Sequence, residues 1–222
     1  MKIICYMMMS LDGRIDCRMT EKINGSDEYY DILNEYNFDS YISGKITASM
    51  HYASGVYQAR NNEEIGISSI YLPIKSKNFS IVADTYGSLK WDSNKIGNDN
   101  LLIILSEKAS KEYLNYLKSL NISYIAIGKD KIDLNSVVKI LSESLGIEKL
   151  GIVGGGNINA SFLKCGLIDE ISILIGPGID GRRGMASVFD GLDSDTDVFR
   201  LNLFDVKKYD NGAVLLKYTI LK

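Results

Sequence analysis

The stretch Lys149 to Pro177, KLGIVGGGNINASFLKCGLIDEISILIGP, constrains the fold more than any other in this 222-residue chain. An apolar run leads into three consecutive glycines. A short helical pattern follows, and Gly166 separates it from a second apolar run that ends at Pro177. The order reads as strand, tight turn, helix, strand. Glycine loses more backbone entropy on folding than any other residue, so three together are expected where something must approach the main chain closely. At the start of a helix that visitor is commonly a phosphate, because free N–H groups and the helix dipole both favour an anion. A plain tight turn needing positive φ would use the same residues, and the stretch alone does not separate the two.

The rest of the chain alternates in the same way. Lys2 to Met9 is a nearly continuous apolar run, as expected of a strand buried on both faces. It runs out into Ser10-Leu11-Asp12-Gly13-Arg14-Ile15. Ligands of open α/β sheets lie beyond the carboxyl ends of strands, so this exit is a candidate site by position. Asp12 serves equally well as a turn former ahead of Gly13. Ser26 to Asn37 predicts a helix with Ser26 as N-cap and Tyr29, Ile32, Leu33 and Tyr36 on its apolar face. A strand over Asp39 to Ser43 leads into Gly44-Lys45-Ile46-Thr47 and a short helix to about His51, where lysine and threonine are suitable phosphate ligands.

Ser54 to Asn78 is aperiodic apart from a short extended piece at Ile70 to Ile74. Further strands are expected at Phe79–Ala83, Leu101–Leu105, Ile122–Ile127 and Leu167–Ile175. Ser106 is read as the cap of a helix to about Leu120. Asp133 is read as the cap of a helix that Gly146 stops. The lone Trp91 is expected to be partly buried. Two late strands, Phe199–Lys207 and Ala213–Leu221, flank Tyr209-Asp210-Asn211-Gly212, the strongest short hairpin signal in the chain. Strands alternating with helices imply α/β architecture: a mostly parallel central sheet flanked by helices, with a C-terminal antiparallel hairpin. No linker or repeat interrupts it, so residues 1–222 are expected to form one domain.

Composition narrows the function classes. A net charge of −3 and a pI near 5.3 argue against a general nucleic-acid surface. No apolar run reaches the roughly 18–20 residues of a membrane span, and the N-terminus lacks a signal-peptide pattern, so a cytoplasmic location is expected. The three cysteines, Cys5, Cys17 and Cys165, are odd in number and widely spaced, which fits a reducing compartment. Cys5 and Cys165 lie in apolar patterns and are expected in the core. With His51 the only histidine, a zinc site or a serine–histidine hydrolase would rest on one residue, and no metal is expected.

A Rossmann fingerprint would place its glycines after the first strand, and a P-loop would need a glycine four spacers before Gly44-Lys45; neither pattern is present. The order instead resembles the dihydrofolate-reductase-like superfamily, and most closely the pyrimidine reductases of riboflavin biosynthesis. The resemblance spans nearly the whole chain. Its carriers are MSLDGRI (Met9 to Ile15), G-x-x-T (Gly44 to Thr47), LLIILS (Leu101 to Ser106) and GGG…FL..GLIDEI.I…P (Gly154 to Pro177).

The resemblance implies an NADPH-dependent reductase and a small-molecule substrate, with 5-amino-6-(5-phosphoribosylamino)uracil favoured. By it, Gly154, Gly155, Gly156, Lys45 and Thr47 would hold the cofactor pyrophosphate, and Ser10 and Asn157 are further cofactor-binding candidates. Ser106 with Lys108 would take the 2′-phosphate. Ser10 and Asp12 would border the reacting centre, with Asp12 as the candidate proton relay. Val153 stands where the family carries glutamate beside the substrate, and Arg14, Arg182 and Arg183 are candidate anchors for a substrate phosphate. The family also implies a homodimer. Two alternatives are a reductase of another small substrate and a non-catalytic NADP-binding module.

Overall fold

The computed structural model describes residues 1–221. The strands are β1 (Lys2–Met9), β2 (Ser40–Gly44), β3 (Gly55–Val56), β4 (Ser69–Tyr71), β5 (Phe79–Ala83), β6 (Leu89–Lys90) and β7 (Lys95–Ile96). They continue with β8 (Asp99–Leu105), β9 (Ser123–Ala126), β10 (Lys149–Gly154), β11 (Glu170–Ile175), β12 (Leu201–Lys208) and β13 (Val214–Ile220). The helices are α1 (Cys17–Thr20), α2 (Ser26–Tyr36), α3 (Lys45–His51), α4 (Lys111–Ser119), α5 (Leu134–Leu145) and α6 (Gly156–Lys164). The chain divides into two compact units, one made of residues 2–38 with residue 149 onward, the other of Met1 with residues 39–148.

In the unit that holds both chain ends the strand order is β12-β13-β11-β1-β10. β1 pairs in parallel with β10 on one side and with β11 on the other. Six consecutive residues, Ile3 to Met8, are buried, because a strand covered on both faces has no solvent side on which to place polar groups. β13 returns antiparallel to β11, and β12 folds back on β13 through the Asn211-Gly212 turn, as the sequence signal predicts. Tyr6, Met8, Ile32, Leu174, Ala213 and Leu215 form a core on one face of this sheet, with α2 contributing Tyr29, Leu33 and Tyr36 from its apolar stripe. The α2 start differs from expectation: Gly25 is the N-cap, at φ 117°, and Ser26 is already helical. Burial pushes the Cys5 thiol well above its ordinary range, so it serves as an inert core residue. Cys165, expected in the core, is exposed at the end of α6.

In the other unit β2, β5, β8 and β9 run parallel in that order, with β4 antiparallel to β9. α5 is bounded as predicted: the Asp133 side chain accepts from the Ser136 N–H, and Gly146 ends the helix in the left-handed region. α4 corrects the sequence reading. Its cap is Ser110, whose Oγ accepts from the Tyr113 N–H at 3.1 Å. Ser106 lies one turn earlier and is fully buried, with its hydroxyl donated to the Thr85 carbonyl at 2.9 Å.

Trp91 is also deeper than expected, only 3% exposed, and sits in the core with Leu89, Leu101, Ile103, Tyr113 and Leu117. Its indole N–H donates to the Tyr113 hydroxyl, and that hydroxyl donates to the Leu89 carbonyl at 2.8 Å. The backbone of Trp91 both donates to and accepts from the Tyr116 hydroxyl at 2.7 Å. A buried ring with its polar edge satisfied is a packing element, and this one locks an irregular segment onto α4. Trp91→Ala is expected to lower the unfolding free energy by about 3–5 kcal/mol, measured by urea unfolding followed by circular dichroism. A loss below about 1 kcal/mol would show that the ring carries little of this core.

Candidate functional site

Because β1, β10 and β11 are parallel neighbours, their carboxyl ends emerge along one edge of their sheet. Three connections therefore lie side by side: the Ser10–Arg14 turn after β1, the glycine turn after β10, and a long loop after β11 that begins at Gly176. Ser10, Asp12, Arg14, Gly155, Arg182 and Arg183 are found on these three connections, with Val153 and Gly154 at the end of β10 and Gly156 and Asn157 at the start of α6. Lys45, Thr47, Ser106 and Lys108 belong to the other unit, at the carboxyl ends of β2 and β8.

The turn after β1 is closed by its own side chains. Ser10 is fully buried, its hydroxyl donates to the Asp12 carboxylate at 2.6 Å, and the same oxygen accepts from the Arg14 N–H at 3.1 Å. Asp12 reaches further. Its carboxylate also accepts from the backbone N–H groups of Asp180 at 3.0 Å and Gly181 at 2.9 Å. Three donors aimed at one carboxylate favour its ionised form, so the Ser10 hydroxyl first, and then the Gly181 and Asp180 N–H groups, hold it far below the ordinary carboxylate range. In this geometry Asp12 acts as an acceptor that fastens the loop after β11 to the turn after β1.

That loop makes further attachments on both sides. The Leu11 N–H donates to the Gly178 carbonyl at 2.8 Å, the Ile15 N–H to the Ala186 carbonyl at 3.2 Å, and an Arg14 Nη1 to the Met185 carbonyl at 2.6 Å. Arg14 Nε is buried without a partner. Arg182 is occupied as well: its guanidinium contacts the carboxylates of Asp180 and, at 2.7 Å, Asp16. Of the three candidate arginines, only Arg183 is exposed without an ion pair among the described residues.

The loop then crosses the glycine turn. Asp190 accepts from the N–H and the hydroxyl of Ser187 at 2.7 and 2.8 Å, and its own N–H donates to the Gly156 carbonyl at 3.2 Å. Asn159 of α6 donates to the Val188 carbonyl at 2.7 Å. A Cβ on Gly156 would stand 2.4 Å from the Ser187 carbonyl oxygen, so the close approach at that glycine is made by the chain itself. Gly155 occupies φ 91° and is the N-cap of α6, with no side chain capping the helix. The first N–H groups of α6 are therefore free of a side-chain cap, the arrangement an anion requires. Val153 is half-buried just before this turn.

In the other unit, Gly44 precedes α3 with no side-chain cap, Lys45 is exposed and Thr47 half-buried. Lys108 is held by Glu64 at 3.1 Å and Asp130 at 3.8 Å, and its N–H donates to Ser106. Ser106 thus has both its donor and an acceptor position in use. Sequence reasoning did not single out Arg18 and Lys22, which line a cavity beside the loop after β11. The one available signal was a run of basic residues four apart behind the Ser10–Arg14 turn.

Comparisons with known proteins identify the family and the fold. The model of the RibD C-terminal domain family matches residues 1–215. A curated relative from Methanothermobacter thermautotrophicus, named 2,5-diamino-6-ribosylamino-4(3H)-pyrimidinone 5′-phosphate reductase, is 32% identical over 122 residues, 54% of this chain and 55% of that protein. The match thus spans about half the length of the curated relative. Among solved structures, a pyrimidine reductase-like protein from Corynebacterium diphtheriae superposes with a TM-score of 0.73 at 15% identity, covering 100% of this chain and 92% of its own. RibD from Acinetobacter baumannii gives 0.70 at 20% identity over 99% of this chain and 58% of that one. The α/β fold of these proteins is therefore the fold of this chain.

The Asp12 clamp has a pH signature. Its folded carboxyl lies below the ordinary value of 3.8, so its contribution to stability is present above that value and lost as the pH falls below it. Asp12→Asn should lower the urea midpoint at neutral pH, and the difference from the unsubstituted chain should shrink as the pH falls through this acid window. A difference that stays constant with pH would show that the carboxylate charge is not what holds the loop.

Proposed function

The chain belongs to the RibD C-terminal domain family, and on that premise we propose that it is a single-domain, NADPH-dependent reductase of a pyrimidine ribosylamine 5′-phosphate in riboflavin biosynthesis. The observation that carries the reading is the α6 N-terminus, a glycine turn without a side-chain cap beside the exit of β1. Gly154, Gly155, Gly156 and Asn157 fit a pyrophosphate there, and Lys45 and Thr47 are the further contacts that family resemblance assigns. Ser106 and Lys108 are assigned to the 2′-phosphate on the same basis. Lys108 would have to leave Glu64 to serve in that role.

When bound, NADPH would supply hydride to the ribosylamine carbon. This chain's own residues then position rather than protonate. Asp12, ionised and accepting three hydrogen bonds, is assigned the role of holding the loop after β11 against the turn after β1, in place of a proton relay. Val153 borders the substrate side of the glycine turn. A cytoplasmic location belongs to the same proposal. The free thiols of Cys5, Cys17 and Cys165 suit a reducing compartment. Among the described residues no helix is long and apolar enough to cross a membrane.

Oxidation of NADPH, followed by its absorbance with 5-amino-6-(5-phosphoribosylamino)uracil and with the diaminopyrimidinone counterpart, tests the reading. Turnover with either is expected. Tight NADPH binding with no turnover on both would favour a non-catalytic module. Asp12→Asn should lower kcat without removing an acidic limb from the pH profile, whereas loss of a limb together with a drop of about 10²-fold or more would restore a proton-transfer role.

A homodimer is proposed through the β12–β13 hairpin. Every residue of β12 is exposed, including Leu201 at 38%, Leu203 at 46% and Val206 at 54%. These three pair across the ladder with Ile220, Tyr218 and Leu216, so their side chains share one apolar sheet face. A second copy of the chain would cover it. Val206→Asp is expected to convert a dimer to a monomer in sedimentation analysis, and an unchanged mass would remove this face as the contact.

A further inference from the structure

Resting on the proposed reductase reading, the structure assigns a phosphate-monoester subsite to a cavity whose free cations are Arg18 and Lys22, in place of the arginines that the sequence suggests. The cavity measures about 260 Å³ and is lined by Arg18, Met19, Lys22, Ile179, Asp180 and Arg182. Its charges are not equivalent. Arg182 is bound to the carboxylates of Asp180 and Asp16, and the Asp180 side chain is itself fully buried in that pairing. One guanidinium between two carboxylates leaves this cluster with a single net negative charge, and it makes one wall, fixed from behind because the N–H of Asp180 donates to Asp12.

Arg18 and Lys22 face a different situation. Neither forms an ion pair among the described residues, and both are exposed. They stand four residues apart along α1 and the turn that continues it, where the Glu21 N–H bonds to Cys17 and the Lys22 N–H to Met19. Both residues line the same cavity. Met19 and Ile179 supply apolar surface between and beside them. Two unpaired cations over an apolar wall, with the only lining acid already paired, recognise a dianionic head group carried on a short carbon chain. The cavity shares the Asp180 segment with the Asp12 clamp, which places it next to the exit of β1. A ribose 5-phosphate moiety presented there would have its phosphate held by Arg18 and Lys22 and its sugar directed towards the Ser10–Arg14 turn.

Direct binding tests this without turnover. Ribose 5-phosphate, ribose and inorganic phosphate are titrated calorimetrically into the full chain, into Arg18→Gln, and into the Arg18→Gln/Lys22→Gln double variant, with circular dichroism confirming that each is folded. Ribose 5-phosphate is expected to bind the unsubstituted chain, with a Kd about tenfold higher in the double variant and partial recovery in Arg18→Lys. Ribose without phosphate should give no difference between the proteins. Unchanged affinity in the folded double variant, or no binding of ribose 5-phosphate at millimolar concentration, would overturn the assignment. The two readings fail separately. Binding of ribose 5-phosphate with no pyrimidine turnover would overturn the reductase, whereas pyrimidine turnover with an unaltered KM in the double variant would overturn only the subsite.

Discussion

The pairing of β1 with a parallel neighbour on each side is the constraint from which the candidate site follows. A central parallel strand must be apolar on both faces, and Lys2–Met9 meets that demand with six consecutive buried residues. Once β10 and β11 run in the same direction beside it, three loops must leave the sheet together. Each loop carries main-chain groups that need partners. Much of the demand is met between the loops themselves: Leu11 with Gly178, Ile15 with Ala186, and Asp190 with Gly156. Strand direction, set by apolar patterning, thereby brings the turn after β1 against a loop distant from it in sequence, as in Leu11 with Gly178 and Ile15 with Ala186.

Carboxylates that accept backbone N–H groups recur as the fastening device at these strand exits. Asp12 does this for the loop after β11. Asp190 does it within that loop, through Ser187. In the other unit Asp84 closes the turn after β5, buried, accepting from Ser88 and Leu89 N–H at 2.6 and 2.8 Å. An ionised carboxylate offers about four lone-pair directions and so can satisfy several main-chain donors at once, which a serine or an asparagine cannot match. At Asp12 the same property makes a poor proton source, since each accepted bond stabilises the charged form. Asp12 sits where a catalytic acid would be sought, but its surroundings are those of a fastening.

The sequence disclosed most where a signal is local. Asp133 and Gly146 bound α5 because a capping carboxylate and a left-handed glycine act within one turn of the helix. Asn211-Gly212 determines its hairpin for the same reason. It disclosed least where the deciding partner is remote. Ser106 and Ser110 both precede the apolar pattern of α4, and the choice between them depends on the Thr85 carbonyl, which occupies the Ser106 hydroxyl from 21 positions away. Arg182 looked like a free anchor because nothing nearby in sequence reveals that Asp16 lies against it. Arg18 and Lys22 went unnoticed for the converse reason: their significance is the absence of such partners beside a cavity, and periodicity carries no trace of that.

The glycine triplet illustrates how one motif can answer two demands. Gly155 is required by a backbone at φ 91°, which lets the chain turn from β10 into α6. Gly156 is required by space, because the Ser187 carbonyl occupies the position a side chain would take. An anion held by the α6 N–H groups would therefore rest on a turn whose geometry is set by the loop after β11, the loop that Asp12 fastens at its other end. The glycine turn and the turn after β1 are thus both fastened to one loop, through Asp190 and Gly156 at one point and through Asp12 at another, so a change at Asp12, Ser187 or Asp190 acts on a loop that both turns contact.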